Sequence, residues 1–313
     1  MMITILVPVY GVEQHIAECA ETLFAQTYQD IEYVFCDDCT PDDSIGVLQR
    51  VLEKYPERQT HVRIVRNERN LGSGGTRKHL MEEIQSEYFC FVDSDDKLPL
   101  NAIETLARRM QETDADVVDG AYQVFTNDRL GSISLPSHDA LPKYRRKMQA
   151  VNLVRHQVWG RLYKTSTKDV LREWFFDGID MAEDYCVMAR LCAVVTRAWT
   201  DEIVYLYRTE QQSFYSTQPS AKSIASVLAA KRQILSFYHL RGHLPLAVEI
   251  GMLDTYRMCR DGRGATKKQI DETLQYVPEH LTARLLLYLF SSDRIPYNLT
   301  LFLYKIIRWF TVR

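Results

Sequence analysis

The chain has 313 residues, 46% of them hydrophobic and 25% charged, which is typical of a folded protein with a sizeable core and argues against wholesale disorder. Its formal net charge of −3 gives no electrostatic reason to expect nucleic acid as a partner. The seven cysteines are odd in number and lie mostly in apolar segments, which favours reduced thiols in a cytoplasmic protein over a disulfide framework. The apolar N-terminal run is too short for a signal peptide or a membrane span.

The first 125 residues alternate the patterns of strands and helices. Short apolar runs rich in β-branched residues predict strands that are covered on both faces. Between them, apolar residues recur at helical spacing, as at Ile16, Cys19 and Leu23. This alternation on short connections predicts an α/β fold, with a mostly parallel sheet and helices on both faces. The predicted strands are residues 3–9, 31–36, 62–66, 88–93 and 115–125.

The pattern changes after residue 125. Residues 126–150 show weak periodicity and are interpreted as a variable excursion. A helix is predicted over 181–195 and a strand over 202–208. From about residue 221 the pattern is helical throughout, which predicts a helical C-terminal appendage.

Three aspartates follow the fourth predicted strand directly. Ligands of a parallel sheet bind beyond the carboxyl ends of its strands. Because Asp93 and Asp95 are two positions apart, they can point the same way and converge on one Mg²⁺ or Mn²⁺ ion. The alternative is that Asp95 or Asp96 caps the helix predicted to start near Pro99, which would explain one aspartate but not three. The strand-end position therefore favours a metal site.

Other polar groups follow the neighbouring strands, and each has an ordinary structural alternative. Asp38 ends the second strand in a run that also fits a turn. The Gly-rich segment 72–78 can hold a phosphate with its backbone N–H groups, or can be a plain flexible turn. Glu183 and Asp184, at a helix start, can simply interact favourably with the helix dipole. None of these features decides the function alone.

The order of the motifs is more specific than any one of them. A strand ending in PVYG is followed by QTY at a helix end and by CDDCT after the second strand. The blocks NLGSGGTRKHL, FVDSDDKL, VWGRLYKTS, MAEDYCVMARL and VYLYRTEQQSFYS then follow in that order. Over roughly residues 1–216 this succession resembles the family 2 glycosyltransferases. Gly11 replaces the family's usual Asn, and Cys39 its usual Gly.

The resemblance implies a fold and an activity. It implies a Rossmann-like GT-A catalytic domain over residues 1–216, with a nucleotide-sugar-binding half (1–125) and an acceptor-side half (126–216), before a helical region at 217–313. The implied reaction is metal-dependent, inverting transfer from a nucleotide diphosphate sugar, most often of uridine. The acceptor would be a glycan or a lipid-linked molecule, as in surface polysaccharide biosynthesis.

The resemblance also implies roles on the donor side. Asp95 would bind the metal, Mn²⁺ or Mg²⁺, with Asp96 as the alternative ligand. Asp38 would accept a hydrogen bond from the base, Arg77 would approach the nucleotide, and Asp93 would face the ribose or the sugar. The full implied donor-binding set is Pro8, Val9, Tyr10, Glu13, Asp38, Arg77, Asp93, Ser94 and Asp96.

Inversion in one displacement needs one general base, which takes the proton of the attacking acceptor hydroxyl. By motif position Asp184 is the implied catalytic base, with Glu183 as the next candidate. Trp159, Lys164 and Arg208 are candidates for holding the acceptor or phosphates, although Trp159 fits a core residue at least as well.

The C-terminal segment 281–313 mixes aromatic and aliphatic residues with five basic residues and one acidic residue. Such a composition suits the membrane interface, and would place the protein peripherally on the cytosolic face of a membrane. Packing on the catalytic domain or on a second subunit of a homodimer is the alternative.

Two other functions remain open from the sequence alone. A sugar-phosphate nucleotidyltransferase has a similar Gly-rich motif, but after its first strand, whereas here the motif follows the third. A non-catalytic sugar-nucleotide-binding protein of the same fold would keep the binding residues without turnover.

Overall fold

The computed structural model describes residues 1–127, 129–150, 154–176, 182–209, 220–260, 265–291 and 295–313. The chain divides into two compact units. The first takes the described residues within 1–138, 157–178 and 195–213, and the second those within 139–156, 179–194 and 214–313. The predicted domain boundary at residue 216 lies outside the described residues and stays a prediction.

The first unit is built on a mixed, mostly parallel sheet in the order β3-β2-β1-β4-β7-β5-β6, with β8 also paired to β5. Strands β3, β2, β1 and β4 are parallel to one another, and β8 is parallel to β5, whereas β7 runs antiparallel to both β4 and β5. The strands are β1 Ile3–Val9, β2 Ile31–Asp37, β3 Val62–Arg66, β4 Tyr88–Phe91, β5 Val117–Thr126, β6 Arg129–Ser134, β7 Arg161–Lys164 and β8 Arg197–Arg208.

Helices in the described part of the chain bury the faces that their spacing predicts. In the first helix Ile16, Cys19 and Leu23 are fully buried, at positions three and four apart, against a core that also contains Val7 and Phe35. The helices are α1 Ile16–Phe24, α2 Ser44–Leu52, α3 Gly72–Glu82, α4 Ala102–Thr113, α5 Leu141–Gln149, α6 Lys168–Arg172, α7 Glu183–Leu191, α8 Ala221–Leu240, α9 Leu246–Arg260, α10 Lys267–Leu274, α11 Leu281–Ser291 and α12 Tyr297–Val312.

The predicted alternation of strands and helices is confirmed for the first 125 residues, with shifts of one or two residues at the strand ends. Residues 126–150, interpreted as a variable excursion, contain two elements that the sequence did not predict, because β6 pairs with β5 and α5 follows it. Both elements have weak apolar periodicity, since β6 is almost wholly exposed and α5 buries little beyond Tyr144, Met148 and Gln149. β8 begins at Arg197, before the predicted 202, and α7 is shorter than the predicted helix over 181–195.

The second unit is a cluster of helices around its own core. Helix α9 packs against α11 and α12, and α8 packs against α7 and α10. Fully buried Glu249 fixes the start of α11, because its carboxylate accepts hydrogen bonds from the backbone N–H groups of Glu279 and His280 at 2.6 and 3.2 Å. The predicted helical character of the chain after residue 221 is confirmed in the residues described there.

Candidate active site at the carboxyl edge of the sheet

The carboxyl ends of β1, β2 and β4 lie side by side. Val9 is opposite Asp37 in the register of β1 with β2, and Leu6 is opposite Phe91 in that of β1 with β4. The segments that follow these strands therefore meet at one edge of the sheet. This edge contains nearly all of the polar residues predicted to bind the donor.

The segment after β1 is hydrogen-bonded to the segment after β2. Gly11 N–H donates to the Thr40 hydroxyl at 2.8 Å, and Glu13 N–H donates to Asp42 at 3.0 Å. Burial opposes ionisation of Asp42, but hydrogen bonds from Ser44, Thr40 and the Glu13 N–H outweigh it and lower the pKa of Asp42 to about 2. An ionised Asp42 thus joins the two loops at neutral pH.

Two residues in these loops have the left-handed backbone conformation. Gly11 has φ +67° and Cys39 has φ +57°. Both are positions at which the sequence departs from the family it resembles; the segment GGTRKHL is a third departure. Glycine and asparagine both tolerate positive φ, so Gly11 in place of Asn keeps the conformation easily. Cys39 adopts it at a steric cost, and its thiol donates to the Asn67 carbonyl at 3.2 Å.

The residues predicted at the turn after β1 differ in exposure. Val9 is fully buried, and its carbonyl accepts a hydrogen bond from Asp38 N–H at 3.0 Å. Pro8 is half-buried, whereas Tyr10 is 52% exposed. Glu13 is exposed, and its carboxylate accepts from Asp43 N–H at 3.1 Å. Of this group, Tyr10 and Glu13 are exposed, and Val9 forms part of the sheet framework.

Asp38 holds the start of α3. Its buried carboxylate accepts hydrogen bonds from the Asn67 amide at 2.6 Å and from the backbone N–H groups of Leu71 and Gly72 at 2.7 and 3.0 Å. An ionised carboxylate offers about four acceptor positions, so three of them are used within the chain. The predicted contact of Asp38 with a base therefore has at most one acceptor position left.

The Gly-rich segment is helical, which contradicts its interpretation as a flexible turn. Residues 72–78 form the first two turns of α3, and Gly74 and Gly75 are buried there. At the start of α3 the N–H groups of Leu71 and Gly72 donate to Asp38, so the Gly72 N–H is already used within the chain. The phosphate cradle predicted for 72–78 otherwise stays a prediction. Glycine is rare inside helices, so the sequence of this segment does not indicate that α3 begins here.

Arg77 connects α3 to the aspartate cluster. Its guanidinium, almost fully buried, donates to the Asp93 carboxylate at 2.7 Å and also to the Ser73 hydroxyl. This ion pair orients Asp93 toward the edge of the sheet, where its side chain remains 26% exposed. Arg77 is thus placed against Asp93, and its predicted approach to the nucleotide stays a prediction.

Side chains of β8 hold the loop of Asp93, Asp95 and Asp96. The Tyr205 hydroxyl donates to the Asp96 carboxylate at 2.7 Å and accepts from Asp93 N–H at 3.0 Å. The Arg208 backbone N–H donates to the other Asp96 oxygen at 2.7 Å, and its guanidinium donates to the Asp95 carbonyl at 2.7 Å. These bonds contradict the helix-capping alternative, since α4 begins at Ala102 and has no side-chain cap.

Burial and neighbouring charge raise the pKa values of Asp95 and Asp96. Burial raises the pKa of Asp95, and the charge of Asp93 raises it further. Burial raises the pKa of Asp96 well above its ordinary value, and the charges of Asp95 and Asp93 add to that effect. Ser94, between them, is also buried. A divalent cation at this loop would relieve the repulsion.

The carboxylates of the aspartate loop fit a metal ion that is held jointly by the protein and the substrate. Within the described ranges, no group of three or more His, Cys, Asp and Glu side chains is arranged to hold a metal ion. Mg²⁺ and related ions are commonly bound through one or two carboxylates plus substrate phosphates. Half-buried Asp95 meets that requirement, whereas both oxygens of Asp96 accept hydrogen bonds from Tyr205 and Arg208.

Two candidates for holding acceptor or phosphates are placed elsewhere. Trp159 is 3% exposed and stacks on Tyr205 at a centroid distance of 4.3 Å, so it is a core residue. Lys164 ends β7, opposite Tyr88 at the start of β4, because β7 is antiparallel to β4. It therefore lies at the amino edge of the parallel strands, where its amine binds Asp114 at 2.6 Å.

Glu183 and Asp184 lie in the first turn of α7, in the second unit, and both are half-buried. The predicted helix start is therefore confirmed, and acidic side chains there interact favourably with the helix dipole. Met181, the first residue of this motif, and the TEQQSFYS segment from residue 210 onward lie outside the described residues.

Two residues of the edge were missed by sequence reasoning. Tyr205 is fully buried in the middle of an apolar strand, so the sequence gives no indication of its bonds to the aspartate loop. Glu18 binds Arg208 at 2.6 Å and Lys97 at 2.7 Å, which fixes the guanidinium that holds Asp95. An acidic residue in the first turn of α1 is ordinary, so only the fold identifies this role.

The family follows from a profile match over this same region. The family model for glycosyl transferase family 2 matches residues 4–169, which is more than half of the chain. The protein belongs to glycosyl transferase family 2. This is the family that the order of its motifs resembles.

Named relatives agree with this family. The glycosyltransferase GlyG of Streptococcus pneumoniae serotype 4 is 35% identical over 121 residues, covering 39% of this chain and 39% of its own. Glycosyltransferase GlyA of the same organism is 27% identical over 225 residues, covering 67% of this chain. The chain matches only 39% and 31% of the lengths of these two relatives.

Solved structures show the fold. S. aureus TarS 1–349 in complex with UDP has a TM-score of 0.61 at 18% identity, and the match covers all of this chain and 90% of TarS 1–349. The mannosyltransferase PcManGT of Pyrobaculum calidifontis, in complex with GDP-Man and Mn²⁺, has a TM-score of 0.53 at 12% identity over 98% of this chain and 86% of its own. At these identities the likeness establishes the fold, which is GT-A, as predicted.

Proposed function

We propose that this family 2 glycosyltransferase is metal-dependent and inverting, and that it moves a sugar from a UDP-sugar to a hydroxyl of a glycan or lipid-linked acceptor. The observation that carries the proposal is the aspartate loop after β4, whose carboxylates lie at the carboxyl edge of a GT-A sheet beside Arg77. TarS has been solved with UDP and with UDP-GlcNAc, which supports the choice of nucleotide. A relative named teichoic acid poly(glycerol phosphate) polymerase supports a role in surface polymer assembly.

The donor side is assigned as follows. Asp95 would hold Mn²⁺ or Mg²⁺ together with the donor's diphosphate, and the cation would neutralise charge on the departing nucleotide. Asp96 fixes the loop through Tyr205 and Arg208, and is therefore a positioning residue. Asp93, oriented by Arg77, accepts a hydrogen bond from a ribose or sugar hydroxyl.

Base recognition is assigned to the loops after β1 and β2. Tyr10 offers an exposed ring beside Asp38, whose remaining acceptor position suits a base N–H. Pro8, Val9 and Glu13 hold this turn in place. Ser94, buried between two aspartates, keeps the loop close to the sheet.

The acceptor side is assigned to Glu183 and Asp184 in the first turn of α7. Asp184 takes the proton from the attacking hydroxyl, with Glu183 as the alternative base, and the acceptor oxygen then displaces the nucleotide in one step. A single displacement inverts the anomeric centre. One carboxylate base is sufficient for this chemistry, as in inverting glycosidases, where the base activates the nucleophile on the face opposite the leaving group.

The test is nucleotide diphosphate release from a panel of nucleotide sugars with Mn²⁺, with and without a chelator. We expect release from a UDP-sugar, loss of release with the chelator, and a fall of about 10²–10³-fold in Asp95→Asn. Asp114→Asn is the matched control, because Asp114 is exposed, pairs with Lys164 at the amino edge, and has a left-handed backbone that Asn tolerates.

Each part of the proposal can fail separately. Release that is unchanged by the chelator and by Asp95→Asn would contradict the metal site. Release from a donor of another nucleotide would contradict the assignment to uridine. Release of pyrophosphate from a sugar phosphate and a nucleoside triphosphate would contradict the transferase mechanism as a whole.

A further inference from the structure

Helix α12 has apolar residues on two faces. Its inner face packs in the second unit's core, where Thr300 and Tyr304 are almost fully buried. Its outer stripe consists of residues three or four positions apart, which lie on one side of the helix. The exposed fractions along this stripe are 49% for Leu299, 60% for Phe302, 36% for Ile306, 47% for Trp309 and 68% for Phe310.

Helix α11, which packs against α12, repeats this arrangement. Ala283 and Leu286 are fully buried, whereas Leu281, Leu285 and Tyr288 are 79%, 53% and 65% exposed. Large apolar side chains exposed singly are ordinary on protein surfaces, but a continuous stripe marks an interaction site. The outer stripes of α11 and α12 together contain eight such residues: Leu281, Leu285, Tyr288, Leu299, Phe302, Ile306, Trp309 and Phe310.

The inner faces are anchored, so the outer stripes cannot turn inward. Besides its bonds to the backbone before α11, Glu249 accepts a hydrogen bond from the Tyr276 hydroxyl at 2.9 Å. Asp254 of α9 accepts from the Tyr304 hydroxyl of α12 at 3.2 Å and pairs with Arg257 at 2.9 Å. Rotating either helix would break these bonds inside the core.

The charged residues within α11 and α12 are all basic, whereas Glu279 precedes α11 and Asp293 lies in the sequence between the two helices. The sequences of α11 and α12 contain no acidic residue. Arg284, Lys305 and Arg313 are exposed, and the Arg313 guanidinium lies 3.8 Å from the centroid of the Trp309 ring. A cation over an indole at the edge of an apolar stripe is typical of the membrane interface, where the ring and the long basic side chain share the boundary between tails and headgroups.

We propose that the outer stripes of α11 and α12 bind the surface of an anionic lipid bilayer. The apolar side chains would enter the boundary between headgroups and acyl chains, and the basic residues would contact the lipid phosphates. In the described part of the chain no helix is long and apolar enough to cross a membrane, and a helix lying in the interface needs no such length. A second copy of the chain fits less well, because its surface would bring the same positive charges.

Flotation with lipid vesicles tests the proposal on the full chain without nucleotide, so its result is independent of the proposed function. We expect binding to vesicles of phosphatidylcholine with phosphatidylglycerol, and much weaker binding to phosphatidylcholine alone. The double variant Trp309→Ser/Phe310→Ser should lower the partition coefficient at least about tenfold. Lys305→Gln should lower it about fivefold on anionic vesicles only.

The matched control is Leu240→Ser, at the end of α8. Leu240 is 89% exposed, so this change also removes an exposed apolar side chain but lies outside α11 and α12. We expect its partition coefficient to equal that of the wild type. Circular dichroism and the thermal unfolding midpoint verify that all variants fold, because the substituted side chains are outside the core.

Three results would overturn the proposal. The first is no binding of the wild type to anionic vesicles, and the second is binding that Trp309→Ser/Phe310→Ser leaves unchanged. The third is a concentration-dependent dimer in sedimentation velocity that the same variant abolishes, without any vesicle binding. That third result would assign the stripes to a second copy of the chain.

Discussion

Two regions of the molecule depart from ordinary burial in opposite ways. One is the carboxyl edge of the sheet in the first unit, and the other is the pair of outer stripes on α11 and α12 in the second unit. At the edge, Asp38 and Asp96 are buried, and their carboxylate oxygens accept hydrogen bonds within the chain. On α12, the large and mostly apolar side chains of Trp309 and Phe310 are exposed to water. Buried polar groups cost stability unless they are paired, and exposed apolar stripes cost solubility. Each departure is therefore a better guide to function than the regular elements around it.

The comparison also assigns different tasks to the two units. The first unit would hold the donor at a rigid, hydrogen-bonded edge. The second would supply the base from α7 and the lipid-binding stripes from α11 and α12. If this division is correct, substitutions in the second unit should leave the affinity for UDP unchanged, and substitutions in the first unit should leave vesicle binding unchanged.

The largest effect is expected for the proposed base. Asp184→Asn should lower the rate of transfer by about 10²–10⁴-fold, because the acceptor hydroxyl loses the group that takes its proton. The affinity for UDP should stay unchanged, since the residues proposed to bind the donor belong to the first unit. Transfer kinetics and calorimetric titration with UDP measure the two properties.

Glu183→Gln is the control for this change, because it removes an acidic side chain from the same turn of α7. We expect its rate to stay within a few-fold of the wild type. If Glu183→Gln greatly lowers the rate of transfer and Asp184→Asn hardly lowers it, Glu183 rather than Asp184 is the catalytic base. A fall in UDP affinity would contradict the division between the units.

A smaller effect is expected when Asp38 is removed from the edge. Asp38→Ala leaves the N–H groups of Leu71 and Gly72 and the Asn67 amide without their acceptor. The free energy of unfolding should fall by about 3 kcal/mol, the cost of leaving buried donors unpaired. Urea unfolding measures this change.

The control for it is Asp43→Ala in the neighbouring loop. The Asp43 carboxylate is 55% exposed and pairs with exposed Arg50, an ion pair of the kind that contributes about 0–1 kcal/mol. Equal destabilisation by the two substitutions would show that Asp38 does not hold α3 in the way its contacts indicate.

The smallest expected effect is a pH dependence of stability from the aspartate loop. Because burial and the charges of Asp95 and Asp93 raise the pKa of Asp96 above its ordinary 3.8, the native protein binds a proton at a pH where the unfolded chain has lost it. The free energy of unfolding should therefore rise as the pH falls from 7 toward about 4, on the order of 1 kcal/mol. Asp42 acts oppositely, since its pKa is lowered to about 2, and its stabilisation is lost only below pH 3.8.

Urea unfolding at several pH values without divalent ions measures this rise. In Asp96→Asn the rise should be smaller, with a remainder from Asp95, whose pKa is also raised by burial. A rise of equal size in the variant would show that other groups cause the pH dependence. Mn²⁺ should oppose the rise in the wild type, because a bound cation favours the ionised carboxylates.

The sequence by itself determined the framework of the first unit. Apolar runs such as 3–9 and helical spacing such as that of Ile16 and Leu23 are local patterns, and short crossovers allow few topologies. These local patterns also determine which residues follow the strands. The position of Asp93 and Asp95 at the carboxyl edge was therefore predictable from the sequence. The order of the motifs was sufficient to indicate the family.

The tertiary structure alone decided what those residues contact. Tyr205 and Asp96 are 109 positions apart, and no local pattern indicates that a buried tyrosine binds the aspartate loop. Lys164 was a plausible phosphate ligand until the antiparallel pairing of β7 placed it at the opposite edge. Helix α12 is apolar on two faces, and only the packing in the structure shows which face is buried and which is the exposed outer stripe. Local periodicity determines elements, whereas partners, direction and burial depend on contacts between distant segments of the chain.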